Sequence, residues 1–157
     1  MLGNPEFMRQ AIQLATDNVT SGSGGPFGAV VVKEGKVIAT GANQVTTIND
    51  PTAHAEVVAL RNACQALGTF KLDGCELYTS CEPCPMCLAA IYWARCKAIY
   101  FGASAQDAAR AGFDDEFLYA ELKKPMTERT MPMTNLCEQE AGTAFTAWRD
   151  SPRKVEY

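Results

Sequence analysis

The sequence predicts an α/β fold, a sheet with helices on its faces, and three observations carry that expectation. Short apolar runs of strand length alternate with segments whose apolar residues recur at helical spacing. A strand, a helix and a second strand follow one another between Cys75 and Phe101, which implies a parallel pair joined by a crossover helix. The 157 residues suit one compact domain, residues 1–157, able to bury roughly 70% of the surface its unfolded chain would expose.

Met8, Ile12, Ala15 and Val19 recur at helical spacing, so an amphipathic helix is expected over residues 5–20. The run Thr20 to Pro26 stops it, and its glycines serve either as a flexible turn or to let backbone approach a ligand. Phe27 to Val32 is a near-continuous apolar run, expected as a strand buried on both faces. Glu34-Gly35 then turns the chain into Val37 to Thr40, a hairpin partner. After a polar loop from Gly41 to Asp50, Asp50-Pro51-Thr52 reads as a helix start. Val57, Leu60, Cys64 and Leu67, closed by Gly68, supply that helix's apolar stripe. Cys75 to Thr79 is a short strand and Ser80 to Pro83 a loop. Cys84 to Arg95 is a helix apolar almost all round, expected to lie buried between layers. Ala98 to Phe101 is the next strand; beyond Gly102, helices are expected over residues 114–122 and 144–148, with a strand at 133–136.

Composition narrows the function. Apolar residues make up 47% of the chain and charged residues 20%, with no apolar run near the ~20 residues of a membrane span. No basic leader with an apolar stretch opens the sequence, so a cytoplasmic protein is expected. The net charge of −4 argues against nucleic acid as the main partner, which normally leaves a basic footprint. Of seven cysteines, Cys64, Cys75, Cys96 and Cys137 are scattered in apolar surroundings, whereas Cys81, Cys84 and Cys87 are clustered. The cluster reads as metal or redox chemistry rather than a disulfide framework.

Cys84 and Cys87 stand three residues apart in the first turn of a helix, where both sulfurs face one spot and the helix N-terminus favours the thiolates. His54, the sole histidine, sits at another helix start and supplies the third ligand. Zinc suits this nitrogen and sulfur set, and three protein ligands leave a fourth position for water. Glu56, two residues from His54, is about 200° around the helix, wrong for chelating the same ion but right for a carboxylate that shuttles protons past it. Two rivals stay open: a closed structural site that adds Cys81, and a thioredoxin-like dithiol of Cys84 and Cys87.

The segments Gly25 to Val31, Asn49 to Glu56, Thr79 to Cys87, Ile91 to Arg95, Ala111 to Asp115, Ala147 to Arg149 and Glu156-Tyr157 resemble the cytidine deaminase superfamily, and within it the short-chain bacterial guanine deaminases. The resemblance implies a three-layer α/β/α fold around a mixed five-stranded sheet. It implies one Zn²⁺ per subunit on His54, Cys84 and Cys87, with Glu56 as proton shuttle. It further implies Asn43 as a base-contacting amide and a pocket formed with Phe27, Trp93, Asp115 and Tyr157. A homodimer is implied, its C-terminal segment exchanged so that Tyr157 completes a neighbour's pocket. The implied reaction is hydrolysis of guanine to xanthine and ammonia; the zinc-proximal half matches cytosine or tRNA adenosine deaminases almost as well. Guanine is favoured by chemistry, because its N1–H and exocyclic amine form a donor edge that a carboxylate such as Asp115 accepts, whereas cytosine presents acceptors beside its amine.

Overall fold

The structure is a computed structural model that describes residues 3–157. The chain divides into a larger compact unit ending at Glu116 and a smaller one, Phe117–Tyr157.

In the larger unit, four strands form one sheet: β1 (Gly28–Lys33), β2 (Lys36–Ala42), β3 (Cys75–Cys81) and β4 (Ala98–Ala103), in the order β2-β1-β3-β4. β1 pairs antiparallel with both β2 and β3, and β3 pairs parallel with β4, so the sheet is mixed as expected. Glu34 and Gly35 both take positive φ, the geometry a two-residue hairpin turn needs to follow strand twist. The helices are α1 (Pro5–Thr20), α2 (Ala55–Leu67), α3 (Pro85–Trp93) and the short α4 (Ala105–Arg110).

Alternation along the strands makes the layers. Val30, Val32 and Tyr78 face α1, where Ala11, Phe7, Met8 and Leu14 cover them. Ala29, Val31, Cys75 and Leu77 face the opposite way, against Ala55, Ala59 and Ala63 of α2 and Ile91 of α3. Small residues let α2 approach closely: a Cβ at Gly41 would lie 2.3 Å from the carbonyl oxygen of Ala55. The sheet is therefore sandwiched between α1 and the α2/α3 pair.

Three expectations are corrected. The sheet has four strands among the described residues, not five. After β4 the chain enters α4 at once, through a capping box between Ser104 and Asp107. The 133–136 segment has no ladder partner; it follows Pro132, contains Thr134 and Asn135, and runs directly to α6 (Glu138–Asp150). Finally, α3 is not buried all round. Only Cys87 and Ile91 are buried, while Ala89, Tyr92 and Trp93 are exposed, because the sheet and α2 cover one side of it.

The smaller unit holds all but the first residue of α5 (Glu116–Lys123), a 3-10 turn (Met126–Glu128) and α6, and none of its residues is buried.

Candidate metal centre

Two helix starts converge at one end of the sheet. β3 ends at Cys81, and Pro83 and Pro85 frame Cys84, which is the N-cap of α3. Proline at the first helical position costs no hydrogen bond there, and the Cys84 sulfur accepts the Cys87 N–H at 3.5 Å. The second start is His54, N-cap of α2, whose side chain makes no capping bond. The approach to it is fixed by Asp50, whose carboxylate accepts from the Thr52 N–H at 2.8 Å and hydroxyl at 2.7 Å, with Arg61 3.4 Å away.

His54 Nδ1 lies 3.6 Å from Cys84 Sγ and 3.5 Å from Cys87 Sγ. The three ligand atoms all fall within 4.8 Å of one another. A tetrahedral zinc with its usual bond lengths to sulfur and nitrogen sets an S···N edge of about 3.6 Å, so the donor set fits that ion. The three ligands differ in acidity. The hydrogen bond from Cys87 is the main cause that brings the Cys84 thiol down to about 4, with His54 contributing. Cys87 is raised, first by the same pairing and then by burial. His54 is raised, first by its hydrogen bond to Cys84.

Cys81 does not join them. Its Sγ points to the Ser104 carbonyl at 3.7 Å, and burial pushes the thiol up to about 11, so it stays protonated. The cluster is therefore three-ligand and open, and the closed Cys₃His arrangement is not formed.

Glu56, in the first turn of α2, is only 5% exposed. Its Oε1 accepts the Thr79 hydroxyl at 3.1 Å and its Oε2 accepts the Cys87 thiol at 3.4 Å. Burial raises its pKa, which suits a carboxylate that must hold a proton in transit.

A cavity of about 550 Å³ opens on this cluster, lined by His54, Glu56, Cys84, Phe27, Asn43 and Asp115. Asn43 is buried; its Oδ1 accepts the Val45 N–H at 3.3 Å, and its backbone carbonyl accepts Asn18 Nδ2 at 2.9 Å. Gly24 is needed for that closure, since a Cβ there would sit 2.3 Å from the Asn43 carbonyl oxygen. The glycine-rich run forms a turn, and Gly22, Gly24 and Gly25 line the cavity. Asp115 is half-buried, and burial first, then the Cys84 charge, raises its pKa.

Trp93 is not among the residues that line this cavity. Trp93 is 61% exposed on α3, with the Arg95 guanidinium 5.9 Å from its ring, and lines a separate shallow cavity with Ala89 and Tyr92. Tyr157 belongs to the smaller unit, is 70% exposed and meets Trp148 edge-on at 6.4 Å. Conversely, sequence reasoning overlooked Phe113, which meets Phe27 edge-on at 5.0 Å, and Glu82, Val45 and Thr46, all lining the cavity. Phe113 had a signal, its place two residues before Asp115; Val45 and Thr46 had none beyond following Asn43 in a polar loop.

Comparison with known proteins agrees with this geometry. Residues 3–103 match the cytidine and deoxycytidylate deaminase zinc-binding region. The guanine deaminase of Bacillus subtilis (strain 168) is 56% identical over 156 residues, covering 99% of this chain and 100% of that one. An X-ray structure of guanine deaminase from Bacillus subtilis superposes with a TM-score of 0.96, covering 99% of each chain at 56% identity. A tRNA-specific adenosine deaminase of Agrobacterium fabrum (strain C58 / ATCC 33970) is 51% identical over 78 residues, 50% of this chain and 51% of that one.

Proposed function

The chain belongs to the cytidine and deoxycytidylate deaminase family, and on that footing we propose that it hydrolyses guanine to xanthine and ammonia. The observation that carries this reading is the Asp115 carboxylate lining the same cavity as His54, Cys84 and Glu56. A carboxylate accepts from guanine's N1–H and amine edge, and a base without that donor edge leaves it unpaired at a cost of about 1–3 kcal/mol. The 56% identity to a guanine deaminase over 99% of the chain supports the same substrate, since tRNA-specific adenosine deaminases that match 94–96% of the chain are only 33–34% identical.

His54, Cys84 and Cys87 would hold the zinc. When bound, it supplies the Lewis acidity that makes water a nucleophile at neutral pH. Glu56 takes the proton from the attacking water on Oε2, the oxygen turned to Cys87. It passes protons first to a ring nitrogen and then to the amine, so that a C2–O bond forms, the C2–N bond breaks and ammonia leaves. Asp115 and the Asn43 amide orient the base, and Phe27 packs on its apolar face.

The working form is a homodimer that exchanges its C-terminal segments, with Tyr157 of one copy completing the other's pocket and Trp93 contributing to it. Support comes from the smaller unit, where Met131, Leu136, Phe145 and Tyr157 are each at least 70% exposed, more apolar surface than a chain usually leaves in water. Among the described residues no helix is long and apolar enough to cross a membrane.

Ammonia release measured with guanine, cytosine, adenine and a tRNA anticodon hairpin tests the substrate. Release from guanine at a kcat/KM at least a hundredfold above the others is expected. Preference for the hairpin would replace this reading with a tRNA deaminase, and release from none of them would remove the enzyme reading.

A further inference from the structure

Glu56 has two carboxylate oxygens in unlike surroundings. Oε2 lies on the ligand side, 3.4 Å from Cys87 Sγ, while Oε1 faces the sheet and accepts the Thr79 hydroxyl at 3.1 Å. Thr79 is 1% exposed and stands in β3, where it pairs with Ala29 of β1 on one side and Phe101 of β4 on the other. A residue paired on both sides of a strand cannot slip along it, so the hydroxyl is held by the sheet and not by a loop. The alternate positions of β3 facing α2 and α3 are Cys75, Leu77, Thr79 and Cys81, and Thr79 alone among them carries a hydroxyl. Burying a hydroxyl costs free energy unless it is hydrogen-bonded, and the Glu56 carboxylate is the partner it has found.

We propose that Thr79 is a positioning residue for the reaction: its hydroxyl anchors Oε1 of Glu56, fixes the carboxylate plane and keeps Oε2 as the oxygen that handles protons. A carboxylate joined to its chain by freely turning bonds would otherwise sample orientations in which neither oxygen reaches the water. Displacements of about 1 Å in such groups cost up to a hundredfold in rate. Thr79 touches neither metal ligand nor substrate in this scheme and acts only through Glu56. The proposal rests on the reading of Glu56 as the proton carrier.

The test compares the zinc-loaded full chain with Thr79→Val, which keeps shape and loses the donor, Thr79→Ala, which also loses the donor, and Thr79→Ser, which keeps it. Guanine turnover, bound zinc per chain and Tm are measured for each. Thr79→Val and Thr79→Ala are expected to lose about tenfold or more in kcat with KM within twofold and one zinc retained. Thr79→Ser is expected to stay within threefold of the parent. Placed on Glu56→Gln, Thr79→Val is expected to add less than twofold, since both act through one carboxylate. The proposal is overturned if a folded hydroxyl-free variant keeps the parent kcat, if Thr79→Ser falls as far as Thr79→Val, if zinc is lost with the hydroxyl, or if the double variant shows the full independent loss. Glu56→Gln at the parent rate would remove the reading beneath it, and the proposal with it; a dead Glu56→Gln beside an unimpaired Thr79→Val removes the proposal alone.

Discussion

The two units of this chain treat their apolar residues in opposite ways. Up to Glu116, Val30, Val31, Leu77 and Ile91 are buried between a sheet and its helices, and the metal ligands grow out of that core. From Phe117 onward no residue is buried, and Leu136 and Phe145 are each 77% exposed. The first unit is built to hold an ion at fixed distances, because both ligand-bearing helix starts are anchored to buried strands. The second leaves most of its large apolar side chains exposed. The metal ligands and Glu56 thus lie in the first unit.

The hardest blow to that division is struck at the ligands. Cys84→Ser or His54→Ala should lose both the zinc and all guanine turnover, whereas Cys81→Ser keeps one zinc per chain, because its thiol faces Ser104 and not the cluster. Metal analysis of the purified variants decides it; loss of zinc from Cys81→Ser would close the site and make it structural. Next in size is Asp115→Ala, expected to raise KM for guanine by about ten- to a hundredfold while zinc content stays unchanged, the worth of one buried charged hydrogen bond.

Acidity sharpens the same point. Burial raises the Asp115 carboxyl above its ordinary 3.8, so protonation sets in at a higher pH than for a free aspartate. Only the charged form offers both oxygens as acceptors to N1–H and the amine, so kcat/KM for guanine should fall on the acid side, starting above the ordinary aspartate range. Asp115→Asn should remove that part of the pH dependence. The smallest expected effect belongs to the second unit: Tyr157→Ala should raise KM by about tenfold or less, with kcat and bound zinc preserved. If Tyr157→Ala instead lost zinc, the separation between the units would fail.

Much of the larger unit was legible because its signals are short-range. The helix over residues 5–20, the Glu34-Gly35 hairpin and the β3-α3-β4 crossover each follow from spacing and turn residues within a few positions. The ligands were legible because chelation demands particular residue types: one histidine and a pair of cysteines at a helix start left little choice. Other features depended on distant partners. The four-residue stretch at 133–136 carries no mark that says whether a strand waits to pair with it. The exposed face of α3 could not be read either, since an all-apolar helix has the same pattern whether one side or every side is covered. Cys81 likewise needed the path of the chain after β4, which brings the Ser104 carbonyl to its sulfur. Thr79 looked like any strand threonine until Glu56 was placed across from it.

The central claim is that an open, three-ligand metal centre works through the carboxylate of Glu56. It is tested most directly by ammonia release from guanine with Glu56→Gln, bound zinc measured in the same preparation. One zinc per chain is expected, with kcat reduced by about 10²–10⁴, the range usual for loss of a general acid–base group. A zinc-loaded Glu56→Gln that turns over guanine at the parent rate would contradict it.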